Sequence, residues 1–465
     1  MIRLTRIVPS LLAALWSAGV TTPAPAQTPS VSTTPGDRSA ERVSSAVALA
    51  TFDSAWNRVR NAHYDTAMRG IDWVRIRDEL RPRAERAVTL GELRGLLTEM
   101  LTRLGESHYG IIRQETDDAL PPAPGQAESS GEPGDVGLSL RLLGSEVVVS
   151  HVVPGGPADR AGVRAGWVVD SVGRFTARRA VQTMWRVRTE AERRMALVRL
   201  PRVVEASFAG GAGSVVRAAF RDGAGRRVVV PITRRVAPGE PVRLPNLPTF
   251  LAHLEHDRRP LGTGTGDGCV GIIRFNIWMP ALADDFDRAV DELRDCRGIV
   301  VDLRGNPGGL GFMVAGVGGH FLDSAVSLGT MRTRAGEARF AVNPRRATTR
   351  GEPVRPYAGR LAILVDPLTG STSEVFAAGM QAISRARVFG ETSAGQALPA
   401  MATRLPTGDV LLHVTADLVA PDGRRVEGRG VVPDEAVPLR RQDLLAGRDA
   451  ALEAAIRWIA GRLGG

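Results

Sequence analysis

The 465-residue chain contains no lysine; its sixty basic side chains are all arginine. That absence excludes a serine–lysine dyad. It also excludes a P-loop, because the glycine-threonine stretch around Asp267-Gly268 lacks the lysine that would reach a phosphate. Aromatic residues make up only 5%, and Cys269 and Cys296 are the sole cysteines. No cluster of His, Cys, Asp or Glu has metal-ligand spacing, so neither metal nor cofactor is expected. Beyond the N-terminal segment no apolar run is long enough to cross a bilayer. The formal charge is +10, yet the arginines are mixed with acids and form no block of one sign. That pattern argues against a nucleic-acid partner. The length allows two or three domains with their own cores, and the hydrophobic share of 43% is ordinary.

The first residues combine a basic head (Arg3, Arg6), a short apolar run over Ile7–Val20 and the small-x-small exit Ala24-Pro25-Ala26. This pattern predicts a signal peptide over 1–26 and a mature protein that is exported, periplasmic or extracellular, with no integral membrane segment. A Ser/Thr/Pro-rich leader is expected over 27–45. An N-terminal helical domain follows over 46–114, with Trp56, Val59, Trp73, Ile76, Leu93, Leu97 and Leu101 as core contacts on three short helices. Residues 115–135 read as a polar Pro/Gly-rich linker.

From Cys269 onward, apolar runs alternate with helical stretches. Strands are expected over 270–277, 298–303, 361–365 and 386–389, and helices over 281–294, up to about 321, and over 372–383. A hairpin is expected over Pro421-Asp422-Gly423, and a single helix over 441–463. Such alternation predicts an α/β core. Each cysteine precedes one of these strands. If the strands are parallel neighbours, a disulfide is within geometric reach; the alternative is two buried thiols.

Residues 136–236 resemble a PDZ domain. The segment Val152–Gly173 carries Gly155, Pro157, Ala158, Ala161, Gly162 and Gly166 in the family's places, and Val136-Gly137-Leu138-Ser139-Leu140 resembles its carboxylate-binding loop and first strand. That resemblance implies capture of an extended peptide by strand addition. Trp167 replaces the usual aspartate, and the stretch Thr176–Gly213 is longer than a PDZ helix.

Leu361–Met401 resembles the catalytic segment of the tail-specific (C-terminal-processing) serine proteases. In many of these a lysine activates the serine, and that slot here holds Gln396. Gly370-Ser371-Thr372-Ser373-Glu374 fits the family's serine motif, which makes Ser371 the candidate nucleophile and Ser373 the runner-up. Read alone, the same residues are a capping box with Ser371 as N-cap. Leu104-Gly105-Glu106-Ser107-His108-Tyr109-Gly110 resembles the histidine motif of the tricorn-like branch, which has no catalytic lysine. The resemblance implies His108 as base and Ser107 beside it. Glu427, in Val426-Glu427-Gly428-Arg429-Gly430-Val431-Val432-Pro433-Asp434, is implied as the third carboxylate. The bland reading of Glu427 is a hairpin surface charge. Asp302-Leu303-Arg304-Gly305-Asn306-Pro307-Gly308-Gly309 matches the family's oxyanion motif, with one donor from Gly308 or Gly309 and another from the Thr372 N–H.

The expected architecture is a multidomain α/β protein. It has an N-terminal helical region, a PDZ-like β domain (136–236), a ClpP/crotonase-like core (237–440) and a C-terminal helix (441–465). The expected function is an exported serine endopeptidase acting on polypeptides, with recognition by their C-termini one option and a homo-oligomer allowed. The alternatives are a non-catalytic peptide-binding protein and crotonase-type acyl chemistry.

Overall fold

The computed structural model describes residues 38–114, 132–184, 190–244, 246–247, 249–261 and 268–461. The expected signal peptide and most of the expected leader and linker lie outside the described residues. The ends of both segments are ordered instead. Arg38–Ala40 is a 3-10 turn, and Val43 and Glu41 pair through the backbone with Val88 and Leu90. Pro133–Asp135 is a strand between Gly210–Gly211 and Arg235–Val236.

Helices α1 (Ser45–Ala62), α2 (Trp73–Glu85) and α3 (Leu90–Thr102) form the N-terminal region. Each starts where a side-chain oxygen satisfies an otherwise unpaired N–H. Ser44 accepts from Val47, Asp72 from Arg75, and Thr89 with Glu92 forms a reciprocal box. All seven expected core residues are buried. Trp56 and Trp73 stack and donate their indole N–H groups to each other's carbonyls at 2.9 and 3.3 Å. After α3 the chain turns through Gly105–Tyr109 into Gly110–Ile112, which pairs antiparallel with Val410–Val414. Buried Arg94 holds Asp409 at 2.7 Å across the same seam.

The middle of the chain is a six-stranded antiparallel sheet. Its main path is β1 (Leu138–Leu143), β2 (Glu146–Val152), β3 (Val168–Val172), β4 (Val215–Arg221) and β5 (Arg227–Thr233), and Phe175–Thr176 pairs with β3. The long insertion noted in the sequence is two helices, Ala177–Met184 and α4 (Glu190–Ala206), and α4 packs on β1.

The third unit is built on a six-stranded sheet. In spatial order it contains β6 (Leu254–Pro260), β7 (Cys269–Phe275), β8 (Gly298–Asp302), β9 (Arg360–Val365), β10 (Ala386–Gly390) and β11 (Glu435–Ala436). All neighbours are parallel except β6 with β7. Strands β7 to β10 are nearly continuous runs of buried apolar residues, as a sheet covered on both faces requires. Val270 pairs with Gly298, so Cys269 and Cys296 fall side by side. They form a disulfide with Cα atoms 4.6 Å apart, closing a separation of 27 residues.

Two expectations are corrected. The hairpin over Pro421-Asp422-Gly423 shrinks to a turn with one bridge, Val419 to Arg425. Its first arm divides between two sheets, Val410–Val414 pairing with Ala400–Arg404 and Asp417–Val419 with Ser327–Thr333. The C-terminal helix is two helices, Arg441–Leu445 and Ala450–Ala460, separated at Gly447, whose φ is +68°. Asp449 caps the second and pairs with Arg304 at 2.8 Å.

Candidate functional site

Strands β8 and β9 are adjacent and parallel, so the loops leaving their carboxyl ends lie together, where α/β sheets place their ligands. Residues 303–310 leave β8 and residues 366–371 leave β9. Asp366 joins them: its carboxylate accepts the Gly305 N–H at 2.9 Å and the Leu368 N–H at 3.0 Å. The Gly370 N–H donates to the Asn306 carbonyl at 3.0 Å, and the Thr369 hydroxyl donates to Leu303 at 2.9 Å.

Ser371 stands at the end of this loop, immediately before α5 (Thr372–Ala382). Its backbone has φ +53° and ψ −121°, a conformation costly to a non-glycine residue, so the surrounding hydrogen bonds must hold it. Its N–H donates to the Gln396 carbonyl at 2.7 Å and lies 3.1 Å from the Glu374 carboxylate. The capping-box residues are therefore in place. The good hydrogen bond of the Glu374 N–H, however, goes to the Ser371 carbonyl at 2.8 Å rather than to the hydroxyl. Ser373 is fully buried; its hydroxyl accepts the Trp278 indole N–H at 2.8 Å and faces the Asn306 carbonyl at 3.3 Å. The two serines thus have different surroundings, one strained and half-exposed, the other consumed by the core.

The glycine pair packs directly on this serine. A Cβ on Gly308 would lie 2.5 Å from the Ser371 Cβ and 2.8 Å from the Thr372 nitrogen. A Cβ on Gly309 would lie 2.4 Å from the Trp278 carbonyl oxygen. Both have positive φ, +100° and +145°, so only glycine fits the space and the conformation. The Gly308 N–H is taken by the Asn306 side chain at 2.9 Å, which removes it as a donor to a ligand. Among the described residues the N–H groups of Gly309 and Thr372 have no partner.

His108 is half-buried, with φ +59°. Its Nδ1 lies 2.8 Å from the Ser107 Oγ, and that oxygen lies 2.8 Å from the Glu427 Oε2. The Ser107 N–H donates to the other carboxylate oxygen at 2.8 Å. A hydroxyl has one proton; if it goes to the carboxylate, Ser107 must accept from Nδ1–H, and the lone pair is left on Nε2. Burial pushes the His108 imidazole down to about 4, so the ring is neutral at pH 7. Glu427 is 6% exposed and is no surface charge. Burial raises its carboxyl, offset by the donors from Ser107 and by the Ala397 N–H at 2.9 Å. No hydrogen bond joins His108 to Ser371.

The Gln396 side-chain amide contacts Met195 Sδ on α4 at 3.4 Å. Sequence reasoning missed Glu374 as more than a cap. It is fully buried and accepts the N–H groups of Gly395 and Gln396 at 2.7 and 2.8 Å, as well as the Ser393 hydroxyl. Burial pushes its carboxyl up to about 7. It also missed the seating of α4 on the serine loop, where Val198 packs with Leu368 and Ala394, and Arg202 donates to the Leu368 carbonyl at 3.3 Å. The resembled peptide strand is partly occupied as well. Val136 and Leu140 are buried, and the Leu140 N–H donates to Glu205 of α4 at 2.6 Å. Among the described residues the grouping with metal-ligand chemistry, Cys269, Asp295 and Cys296, has its two sulfurs joined in the disulfide.

The fold and chemistry are those of a serine-type peptidase. Residues 269–437 match the model of Peptidase family S41, and residues 49–102 match the Tricorn protease C1 domain. The chain carries matches to both domains and is similar over most of its length to proteins named carboxyl-terminal-processing proteases. It is 27% identical over 399 residues to a carboxyl-terminal-processing protease of Picosynechococcus sp., covering 83% of this chain and 82% of the relative. It is 25% identical over 404 residues to the chloroplastic carboxyl-terminal-processing peptidase 2 of Arabidopsis thaliana, covering 83% and 68%. The solved photosystem II D1 C-terminal processing protease shares the fold, with a TM-score of 0.55 at 22% identity, covering 89% of this chain and 97% of that one. No helix among the described residues is long and apolar enough to cross a membrane.

Proposed function

We propose that the chain is an exported endopeptidase that cleaves polypeptides through Ser371, His108, Ser107 and Glu427. The observation that carries this reading is the hydrogen-bonded chain from Glu427 through Ser107 to the His108 Nδ1. It leaves Nε2 as the only basic atom on the ring. Substrate closure brings Nε2 to the Ser371 hydroxyl; such contacts commonly tighten only in the complex. The Ser371 Oγ adds to the peptide carbonyl carbon while its proton passes to Nε2. The Gly309 and Thr372 N–H groups receive the oxyanion. The imidazolium then gives its proton to the leaving amine as the C–N bond breaks. Water, deprotonated by the same ring, resolves the acyl-enzyme and returns the proton to Ser371. Glu427 stabilises the imidazolium through the Ser107 hydroxyl.

Residues 136–236 serve as a PDZ domain on a ClpP/crotonase-like core, recruiting polypeptides along Val136–Leu140. Glycine motif, strand order and the positive φ of Gly137, +71°, support that reading. Because Glu205 holds the Leu140 N–H, an added peptide strand must displace it. The composition of the N-terminal segment supports export.

A fluorophosphonate probe tests the mechanism. Label on Ser371, located by peptide mapping and absent from Ser371→Ala and His108→Ala, is the expected result. Label that persists in His108→Ala removes the proposed base.

A further inference from the structure

Glu106 stands two residues before His108, and the mechanism above gives it no role. Its side chain is 5% exposed and fully engaged. Tyr64 donates its hydroxyl at 2.5 Å, the His63 Nε2 lies 3.1 Å away, and Arg425 donates at 2.9 Å, with the Arg69 Nε at 3.6 Å. Burial opposes its charge, but the bonds from His63 and Tyr64 hold the carboxyl below its ordinary value, so it is ionised at neutral pH. Burial and the bond to Glu106 push the Tyr64 phenol up to about 12, which keeps it a donor. A buried carboxylate with this many donors is a fixed point in the structure.

Arg425 ties this fixed point to the base, because it stands two residues before Glu427. The loop that carries His108 and the loop that carries Glu427 are therefore joined at adjacent residues, by Ser107 to Glu427 and by Glu106 to Arg425. Arg425 is itself held by Asp417 at 2.8 Å and donates to the Tyr64 hydroxyl at 2.9 Å. Gly105 and His108 have positive φ, +65° and +59°, and bracket Glu106 and Ser107. For His108 this is strain, which persists only where the surroundings impose it. A buttress stands behind His63 and Tyr64. Arg334, at the tip of the hairpin formed by Ser327–Thr333 and Gly336–Ala341, donates to the Arg60 and His63 carbonyls at 2.6 and 2.5 Å, at the end of α1. A guanidinium there satisfies carbonyls that the helix leaves open.

We propose that Glu106 and Arg425 are a positioning pair for the base. Their ion pair fixes the His108 loop against the Glu427 loop, so that Nδ1 keeps the Ser107 hydroxyl. Neither residue touches substrate. The inference rests on the peptide-cleaving reading and adds two residues to it. Ser107 attaches the loop at one residue, about which it can pivot. The attachment through Glu106 removes that freedom, and small misplacements of a reacting group are costly in rate.

The test uses the full-length chain, a fluorogenic peptide assay with separate kcat and KM, and proton NMR of the low-field His108 Nδ1–H, assigned by its loss in His108→Ala. Glu106→Gln keeps the size of the side chain and removes its charge. It and Arg425→Gln should each lower kcat about tenfold with KM within about twofold. The double variant should match the slower single variant within about twofold, because the two residues act as one unit. Arg425 meets Glu106 through one nitrogen, so Arg425→Lys, which keeps the charge, should recover kcat to within about threefold of the parent. The Nδ1–H signal should vanish into solvent exchange in both Gln variants and stay in Arg425→Lys. Asp53→Asn, which breaks the 2.9 Å pair with Arg81 between α1 and α2, is the control for stability and should leave kcat and the signal alone. Should Glu106→Gln fail to fold, Arg425→Gln, at a guanidinium 25% exposed, carries the test. A lower Tm with kcat and signal unchanged makes the pair merely structural and overturns the proposal. Losses that multiply in the double variant overturn it as well. Loss of the signal in both Gln variants of a chain that cleaves no peptide would sink the hydrolytic reading and leave the pair standing.

Discussion

Replacing Ser107 by alanine separates the two jobs of this residue. Its backbone N–H, which holds the Glu427 Oε1 at 2.8 Å, survives the change, so the loop stays anchored. Its hydroxyl, 2.8 Å from both the His108 Nδ1 and the Glu427 Oε2, is lost. The Nδ1–H then has no acceptor, and the carboxylate no longer reaches the ring. A hydrogen bond to a charged group contributes about 1.5–3 kcal/mol. About 1.4 kcal/mol corresponds to a tenfold change in rate, so activity should fall about 10- to 100-fold. The loss should sit in kcat, because the imidazolium exists only after proton transfer. A fluorogenic peptide assay with separate kcat and KM decides it. A kcat within about twofold of the parent, or a loss confined to KM, would refute the relay through Ser107.

Ser371→Ala should abolish turnover with the fold intact. Ser373→Ala should keep the nucleophile but leave the Trp278 N–H without its acceptor, lowering stability by about 1–3 kcal/mol in a denaturant melt. Placing a lysine in the slot, Gln396→Lys, should not restore activity to His108→Ala, because the side chain there is engaged by Met195 on α4; recovered cleavage would show the slot still reaches the serine. With His108 near 4, kcat/KM should hold level from neutral pH downward and fall only close to pH 4; an acid limb near the ordinary 6.5 would place the working histidine in a more hydrated setting. Glu374 binds more protons folded than unfolded between its ordinary value of 4.5 and about 7, so its contribution to stability is present below that window and lost as pH rises through it. A Tm that falls toward pH 8 in the parent and flattens in Glu374→Gln is expected.

Local pattern made the strands and helices legible wherever one residue's environment depended on its neighbours in sequence. The buried runs of β7 to β10 and the capped helices α1 to α3 are of this kind. The motif order also brought Ser107, His108 and Glu427 into one reading, although Glu427 lies 320 residues beyond Ser107. What was hidden depends on contacts that no local pattern encodes. The stretch after Asp409 alternates like one hairpin arm, yet its halves join different sheets because each finds a longer partner strand elsewhere. The Asn306 side chain captures the Gly308 N–H and so settles which glycine is free, something the glycine pair could not show. Likewise α4 reads as an oversized helix of its own module. Its Val198, Arg202 and Glu205 acquire meaning only when they meet Leu368 and Leu140 across the fold.

The missing lysine finds its explanation in the backbone of its own slot. The Gln396 carbonyl holds the Ser371 N–H, the Ala397 N–H holds Glu427, and the Gly395 and Gln396 N–H groups hold Glu374. These bonds use main-chain atoms, so they do not depend on which side chain occupies position 396. The segment therefore ties the serine loop to the Glu427 loop whatever residue it carries. In the proposed mechanism His108, carried on the loop before the seam between Gly110–Ile112 and Val410–Val414, makes a base on the slot redundant, but not the slot's backbone. Side-chain changes at Gln396 should accordingly be tolerated far better than any change, such as proline, that removes the main-chain N–H at 396 or 397.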